Sequence, residues 1–200
     1  MAKVLIINTS PVSKDLSISY GMAQVFKKAY LAANPQDEVE ELDLNEVEMA
    51  HKTIDSKNMG PEYWNEEDSD KYIEQLKNTD KIIFVAPMTN FSISALARNY
   101  LDHVLVANKT FSYKYSKDGD AVGLLPHLKV QILATQGAPF GWYLWGSHTA
   151  LIKGTFEFVG AKVKEPLMID GTKTPMYAGW TRDQIIEKHM DRIVDAASKF

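Results

Sequence analysis

Residues 81–94, KIIFVAPMTNFSIS, place a nearly continuous apolar run directly before a polar loop. An apolar run of this length is typical of a strand that is covered on both faces of a sheet. Pro87 ends the run because it has no backbone N–H to donate to a neighbouring strand. The loop that follows carries hydroxyls, an amide and an aromatic ring, more than a turn before a helix requires. The segment therefore predicts a buried strand whose carboxyl end meets a ligand.

Similar apolar runs recur along the chain and alternate with amphipathic segments. We predict strands at residues 3–8, 38–44, 81–87, 129–135 and 162–169, and helices at 18–34, 70–79, from Ser94 onward, at 148–160 and at 181–200. Thr181 and Gln184 have the spacing of a capping box at the start of the last helix. Repeated strand–helix alternation predicts an α/β fold in which helices cover both faces of a parallel sheet. A doubly wound five-stranded sheet of this kind most resembles the flavodoxin-like order 2-1-3-4-5.

The length of 200 residues predicts a single domain, residues 1–200. Two segments are longer than a simple connection and are predicted to be insertions, near 45–66 and 109–126. The second alternates like a hairpin around Asp118-Gly119.

Composition excludes several classes of function. The formal net charge is −4 and no Lys/Arg cluster occurs, which argues against a nucleic-acid or membrane partner. Cysteine is absent, which excludes disulfides, thiolate catalysis and cysteine-based metal sites and fits a reducing compartment. The apolar run in the opening MAKVLIIN is too short for a signal peptide or a membrane span. We therefore expect a cytoplasmic protein.

Three polar loops are predicted to meet where ligands bind in such sheets. In the order 2-1-3-4-5, the ligand crevice lies outside the carboxyl ends of strands 1 and 3, with strand 4 beside them. The loops that follow these strands are residues 8–19, 87–94 and 135–146.

The first loop is rich in hydroxyls and leads into a helix N-terminus. Free backbone N–H groups and the helix dipole favour an anion there, and hydroxyls add donors, so we predict a phosphate site. The alternative is ordinary N-capping, which explains one serine. Residues 8–19 contain no glycine, so the loop is neither a Walker A nor a dinucleotide-binding motif. The hydroxyl-bearing residues are Thr9, Ser10, Ser13, Ser17 and Ser19.

The second and third loops carry groups suited to a flat heterocycle. Main-chain N–H groups after Pro87 and the Asn90 amide suit ring acceptors, with Phe91 or Met88 in apolar contact. The alternative is that Ser92 or Ser94 caps the next helix and Phe91 belongs to the core. In the third loop, glycines surround aromatic residues that suit either stacking on a planar ligand or a subunit interface. These aromatic residues are Phe140, Trp142, Tyr143 and Trp145.

Several of these motifs resemble those of the FMN-dependent NADH:azo/quinone oxidoreductases, the azoreductases of the flavodoxin-like superfamily. The motifs are KVLIINTSP, APMTNFSIS, RNYLDHV followed by TFSY, and ATQGA, and the similarity extends from residue 3 to the last helix. The resemblance implies that FMN is bound without a covalent bond. It assigns the FMN phosphate to Ser10, Ser17, Ile18 and Ser19, and the ring to Pro87, Met88, Thr89, Asn90, Phe91, Thr135, Gln136, Gly137 and Ala138.

Two positions depart from the family pattern. Thr89 stands where many members carry a tyrosine, so stacking by that side chain is lost. Gln136 begins a segment that is more typically Arg-Gly-Gly, which removes a cation near the flavin. The resemblance also implies a homodimer whose partner subunit completes the active site, so residues 45–66 and 140–146 are candidates to line the pocket from either chain.

The chain shows no pattern for acid/base, nucleophilic or metal catalysis. Its five histidines are scattered, and no pair has the spacing of a zinc site. A cofactor that carries the chemistry fits this pattern, so no catalytic residue and no metal ligand is assigned. The expected reaction is a two-step, two-electron exchange in which NADH or NADPH reduces the flavin and a quinone or azo compound is then reduced on the same face. The alternatives are an electron carrier and a non-catalytic regulatory or scaffold protein of the same fold.

Overall fold

The protein is described by a computed structural model that covers residues 1–114 and 120–200. The strands are β1 (Lys3–Asn8), β2 (Glu38–Asp43), β3 (Lys81–Pro87), β4 (Phe111–Ser112), β5 (Val122–Gly123), β6 (Lys129–Thr135), β7 (Lys162–Val163) and β8 (Leu167–Ile169). The helices are α1 (Ile18–Ala33), α2 (Lys71–Lys77), α3 (Ala95–Val104), α4 (His148–Phe158), α5 (Arg182–Lys188) and α6 (Met190–Ser198). Among the described residues, no helix is both long and apolar enough to cross a membrane.

The main sheet is parallel and has the order β2-β1-β3-β6, with β7 and β8 both beside β6. The short strands β7 and β8 occupy the place of the predicted fifth strand. The predicted flavodoxin-like order 2-1-3-4-5 is therefore confirmed.

The fifth strand is divided because it carries a bulge. Between the pairs Val130↔Val163 and Leu133↔Leu167, residues 131–132 lie opposite residues 164–166, so the edge strand has one extra residue. Pro166 in this bulge has no N–H for the ladder. The Gln131 side-chain amide instead donates to the Glu165 carbonyl at 3.1 Å.

Helices cover both faces of the sheet because β1 alternates its side chains between two cores. Leu5 and Ile7 belong to the core that α2, α3 and α4 cover, whereas Val4 and Ile6 belong to the core under α1, α5 and α6. The helical spacing predicted for α3 is confirmed by the burial of Leu96, Tyr100, Leu101 and Val104.

The last predicted helix is two helices. The capping box of Thr181 and Gln184 is present and starts α5, but the helix breaks at His189 before α6 begins. The His189 N–H donates to the Ile186 carbonyl, three residues back, which tightens the turn at the break.

The insertion at 45–66 packs on α3. It contains a 3-10 turn, Glu48–His51, and a π-helical turn, Glu66–Asp70, follows it. The ring of Tyr63 stacks on that of His103 at 3.8 Å, and Trp64 Nε1 donates to the Asp102 carbonyl at 2.9 Å. Within one chain, these aromatic side chains therefore support α3.

The hairpin expected within residues 109–126 has paired strands. Phe111 pairs with Gly123, and Ser112 with Val122, in the antiparallel sense. The turn expected at Asp118-Gly119 lies outside the described residues.

Candidate cofactor-binding site

Hydrogen bonds join the three loops into one rim at the carboxyl edge of the sheet. The Thr9 hydroxyl donates to the Val85 carbonyl at 2.8 Å, which ties the first loop to β3. Ser94 Oγ donates to the Thr9 carbonyl at 2.8 Å. The Met88 N–H donates to the Thr135 carbonyl at 2.7 Å, which ties the second loop to the third. The predicted convergence of the loops is therefore present.

Ser10, Ser17 and Ser19 form a buried cluster of hydroxyls at the N-terminus of α1. Their Oγ atoms are 2.9 Å apart between Ser10 and Ser17 and 3.1 Å apart between Ser17 and Ser19. Ser17 also accepts the Tyr20 N–H at 3.2 Å and so caps the helix. Ordinary N-capping, the alternative to a phosphate site, therefore explains Ser17 but not Ser10 or Ser19. The N–H groups of Ile18 and Ser19 have no acceptor among the described residues and are free for an anion.

The charge of the lysine in this loop is already neutralised by the protein. Lys14 forms ion pairs with Asp43 at 2.9 Å and with Glu46 at 3.1 Å. The hydrogen bond to Asp43, and to a lesser extent that to Glu46, raises the pKa of Lys14. Burial opposes ionisation of Asp43, but hydrogen bonds from Asn45 and Lys14 outweigh it and hold its pKa below the ordinary value. An anion at the serine cluster would depend mainly on hydroxyl and backbone donors.

The second loop is a tight, strained turn. The Thr89 and Ser92 N–H groups donate to each other's carbonyls at 2.9 and 3.0 Å. Between them, Asn90 and Phe91 have φ values of 46° and 68°, in the left-handed region where glycine is normally preferred. Non-glycine residues in this conformation are concentrated at functional sites.

The number of free N–H groups expected after Pro87 is reduced by these pairings. The N–H groups of Met88, Thr89 and Ser92 are occupied, whereas those of Asn90 and Phe91 have no acceptor in the part of the chain that the structure describes. Ser94 caps α3, as the alternative proposed, by accepting the Ala97 N–H at 3.2 Å. Phe91 is not a core residue, because 42% of it is exposed.

The third loop presents two adjacent backbone donors. The carbonyls of Gln136, Gly137 and Ala138 accept the N–H groups of Thr172, Lys173 and Gly171 at 3.2, 2.9 and 3.0 Å. The N–H groups of Gly137 and Ala138 have no acceptor among the described residues. The loop after β8 thus uses the carbonyls and leaves these two N–H groups for a ligand.

A cleft of about 370 Å³ lies between the second and third loops. Its volume is within the range of small-molecule pockets, roughly 300–1,000 Å³. A second depression of about 390 Å³ lies at the opposite edge, by the amino ends of β1 and β2, where sheets of this kind do not bind their ligands. The cleft is lined by Met88, Asn90, Phe91, Gly137, Ala138, Trp142, Tyr143, Lys173 and Thr174.

The aromatic loop divides between the cleft and the surface. Trp142 and Tyr143 line the cleft. Trp145 is outside the lining, and its ring packs at 4.6 Å from that of Phe91. Phe140 is also outside the lining and is 66% exposed. The same loop therefore places two aromatic side chains at the cleft and two outside it.

The other residues predicted to contact the ring do not line the cleft but support the loops that form it. Pro87 pairs with Thr135 at the end of the ladder, and Thr135 and Gln136 are buried. Gln136 Nε2 donates to the Ala138 carbonyl at 2.9 Å. With Thr89, these residues hold the two loops in place.

Lys173 and Thr174 were missed by the sequence-based prediction. They follow β8, whose carboxyl end lies at the same edge of the sheet as those of β3 and β6. The polar segment DGTKT directly after an apolar run was the available signal. The crevice predicted from the strand order is bounded by the loops after strands 1, 3 and 4 and does not include the loop after the fifth strand.

This geometry agrees with comparisons with known proteins. Residues 2–195 match the profile of a family described as having a flavodoxin-like fold. The chain belongs to this flavodoxin-like family. Within it, the chain is 61% identical over 181 residues to the FMN-dependent NADH:quinone oxidoreductase of Malacoplasma penetrans, covering 90% of this chain and 85% of that protein. It is 50% identical over 200 residues to the enzyme of the same name from Mycoplasmopsis pulmonis, covering 100% of both chains.

Solved structures of azoreductases have the same architecture. The crystal structure of an azoreductase from Bacillus anthracis covers 100% of both chains with a TM-score of 0.84 and 25% identity. An FMN-dependent NADH-azoreductase from the same species, in complex with FMN, covers 98% of both chains with a TM-score of 0.79 and 21% identity, a likeness that concerns the fold alone. The resemblance to the azo/quinone oxidoreductases that the sequence motifs indicated is confirmed.

Proposed function

We propose that the protein is an FMN-dependent oxidoreductase that takes electrons from NADH and reduces quinones, azo compounds or both. The relatives named FMN-dependent NADH:quinone oxidoreductase support this reaction class. The observation that carries the proposal is the cleft at the carboxyl edge of the sheet, where Gly137 and Ala138 offer free N–H groups.

The residues present fit FMN in two parts. The hydroxyls of Ser10, Ser17 and Ser19, with the N–H groups of Ile18 and Ser19, supply donors for the phosphate at a helix N-terminus. The cleft supplies a slot for the ring, with aromatic and apolar side chains on its walls and backbone donors for ring acceptors.

When bound, FMN supplies the electron transfer between NADH and the acceptor. The N–H groups of Gly137 and Ala138 would hold the polar edge of the ring and would stabilise negative charge on it. Trp142 and Tyr143 supply flat faces beside the reacting partners. Positioning, exclusion of water and electrostatics are therefore the tasks of the protein, and no side chain is assigned as an acid or a base.

We also propose a homodimer, in which the exposed aromatic loop packs on the second subunit. Leu144 is 94% exposed and Trp145 is 71% exposed, next to Phe140. Contiguous apolar surface of this kind marks interaction sites. We further propose that residues 1–200 form a single domain built on the main sheet, and that it works in the cytoplasm, where its electron donor NADH is found.

The test begins with the visible spectrum of the purified protein before and after FMN is added. We expect flavin absorbance that is retained through gel filtration, steady NADH oxidation when a quinone is present, and elution as a dimer. FMN binding without steady NADH oxidation would favour an electron carrier. A colourless protein that neither binds nor quenches added FMN would contradict the proposal and favour a scaffold.

A further inference from the structure

We propose that the Lys173 ammonium group stabilises negative charge on the ring of FMN in the cleft, so that the protein binds reduced FMN more tightly than oxidised FMN. This role rests on the proposed function.

The backbone of Lys173 is fixed against the loop that carries the free N–H donors. Its N–H donates to the Gly137 carbonyl at 2.9 Å, between the bonds that Gly171 and Thr172 make to Ala138 and Gln136. Three hydrogen bonds in a row leave this stretch of backbone little freedom. The Cα of Lys173 therefore stays beside the cleft whatever its side chain does.

The side chain of Lys173 crosses directly over Gly137. A Cβ atom built on Gly137 would lie 2.9, 3.1 and 3.4 Å from the Cδ, Cγ and Cβ atoms of Lys173. Glycine at position 137 is thus what allows the lysine stem to lie against the donor loop. The stem directs the side chain along the wall of the cleft, of which Lys173 forms part.

The charge of Lys173 is uncompensated. It is the only charged residue among the described residues that line the cleft, and no ion pair joins it to a described carboxylate. The nearby Asp170 carboxylate accepts the Phe140 N–H at 2.7 Å. Lys14, beside the serine cluster, contrasts with it, because two carboxylates neutralise that lysine.

The residue at position 136 does not supply a substitute charge. The Gln136 side chain is buried, and its amide donates to the Ala138 carbonyl, so it shapes the loop. The positive charge beside these backbone donors therefore comes from Lys173, whose stem lies over Gly137.

The expected effect follows from Coulomb's law. Two-electron reduction places a negative charge on the ring system, and the ammonium group attracts this charge in the reduced form only. In a partly solvated cleft, one such interaction changes an equilibrium constant by roughly tenfold.

The experiment compares the FMN complexes of Lys173→Met, Lys173→Arg and Lys162→Met with that of the wild type. Lys162, in β7, pairs with Lys129 at the opposite edge of the sheet, so its variant removes the same charge far from the cleft. FMN affinity is measured by fluorescence quenching, and the midpoint potential by equilibration with a reference dye. We expect the preference of Lys173→Met for reduced over oxidised FMN to be about tenfold smaller than that of the wild type. This loss corresponds to a midpoint potential that is more negative by about 30 mV for a two-electron couple.

Lys173→Arg should keep a potential close to that of the wild type, and Lys162→Met should leave it unchanged. A structural role of Lys173 would weaken oxidised and reduced FMN equally and leave the potential where it was, which would overturn the proposal. An equal shift in the Lys162→Met complex would also overturn it, because net charge would then explain the effect. If the wild type binds no FMN, the proposed function fails together with this role; if FMN binds and the potentials agree, the role of Lys173 alone fails.

Discussion

Replacing Ser10 and Ser19 together by alanine tests the proposed phosphate site without removing the helix cap. Ser17 alone accepts the Tyr20 N–H and caps α1, so the double variant keeps that bond. The two lost hydroxyls bond Ser17 Oγ at 2.9 and 3.1 Å. Because each such neutral bond contributes about 1 kcal/mol, we expect the double variant to remain folded.

The expected loss of FMN affinity is much larger than this stability cost. A hydrogen bond to a charged group contributes about 1.5–3 kcal/mol, so two lost donors give at least about 3 kcal/mol, roughly a 100-fold weaker complex. Riboflavin has the same ring and lacks the phosphate. Its affinity should therefore change by less than about threefold.

The assay is the quenching of flavin fluorescence, titrated with FMN and with riboflavin for each variant. Ser13→Ala is the matched control, because Ser13 is an exposed hydroxyl in the same loop, outside the buried cluster. Circular dichroism confirms that the compared proteins are equally folded. Equal losses for FMN and riboflavin would refute the assignment of the serine cluster to the phosphate.

Three further predictions concern the stability of the fold. Burial lowers the pKa of His148 from 6.5 to about 4, so the unfolded chain takes up the proton first as pH falls. The free energy of unfolding, measured in urea, should therefore fall by about 2.5 kcal/mol between pH 7.5 and 4.5, and this loss should be absent from His148→Leu. A variant with the same pH dependence as the wild type would contradict this. Phe91→Gly should change the free energy of unfolding by less than about 1.5 kcal/mol, because relief of the strain at its left-handed φ offsets the lost aromatic contacts. A loss above about 3 kcal/mol would instead indicate a core residue. Gly123→Ala should destabilise the protein by about 2–3 kcal/mol or more, because its Cβ would lie 2.1 Å from the Val159 backbone. The matched variant Gly154→Ala in α4, with open space around it, should be neutral or stabilising in thermal unfolding. Similar effects of the two substitutions would disprove the close approach.

The order of the sheet and the position of the rim were predictable because their signals are local. Apolar runs mark buried strands, and helical spacing correctly placed Leu96, Tyr100 and Val104 in the core. A parallel sheet brings the ends of successive strands to one edge, so the polar residues after β1, β3 and β6 were expected to meet there. Where a hydroxyl-rich or aromatic loop follows a strand, amino-acid order alone indicates a ligand-binding edge.

Contacts between segments distant in the chain decided which backbone N–H groups are hydrogen-bonded and which residues line the cleft. Residues 171–173 bond the carbonyls of residues 136–138 and free two N–H groups, and the same contact brings Lys173 over Gly137. The break at His189 and the bulge at residues 164–166 likewise depend on hydrogen bonds and pairing in three dimensions. Periodicity in a sequence reports which face of an element is buried, whereas a hydrogen bond is decided by whichever partner the folded chain brings within about 3 Å.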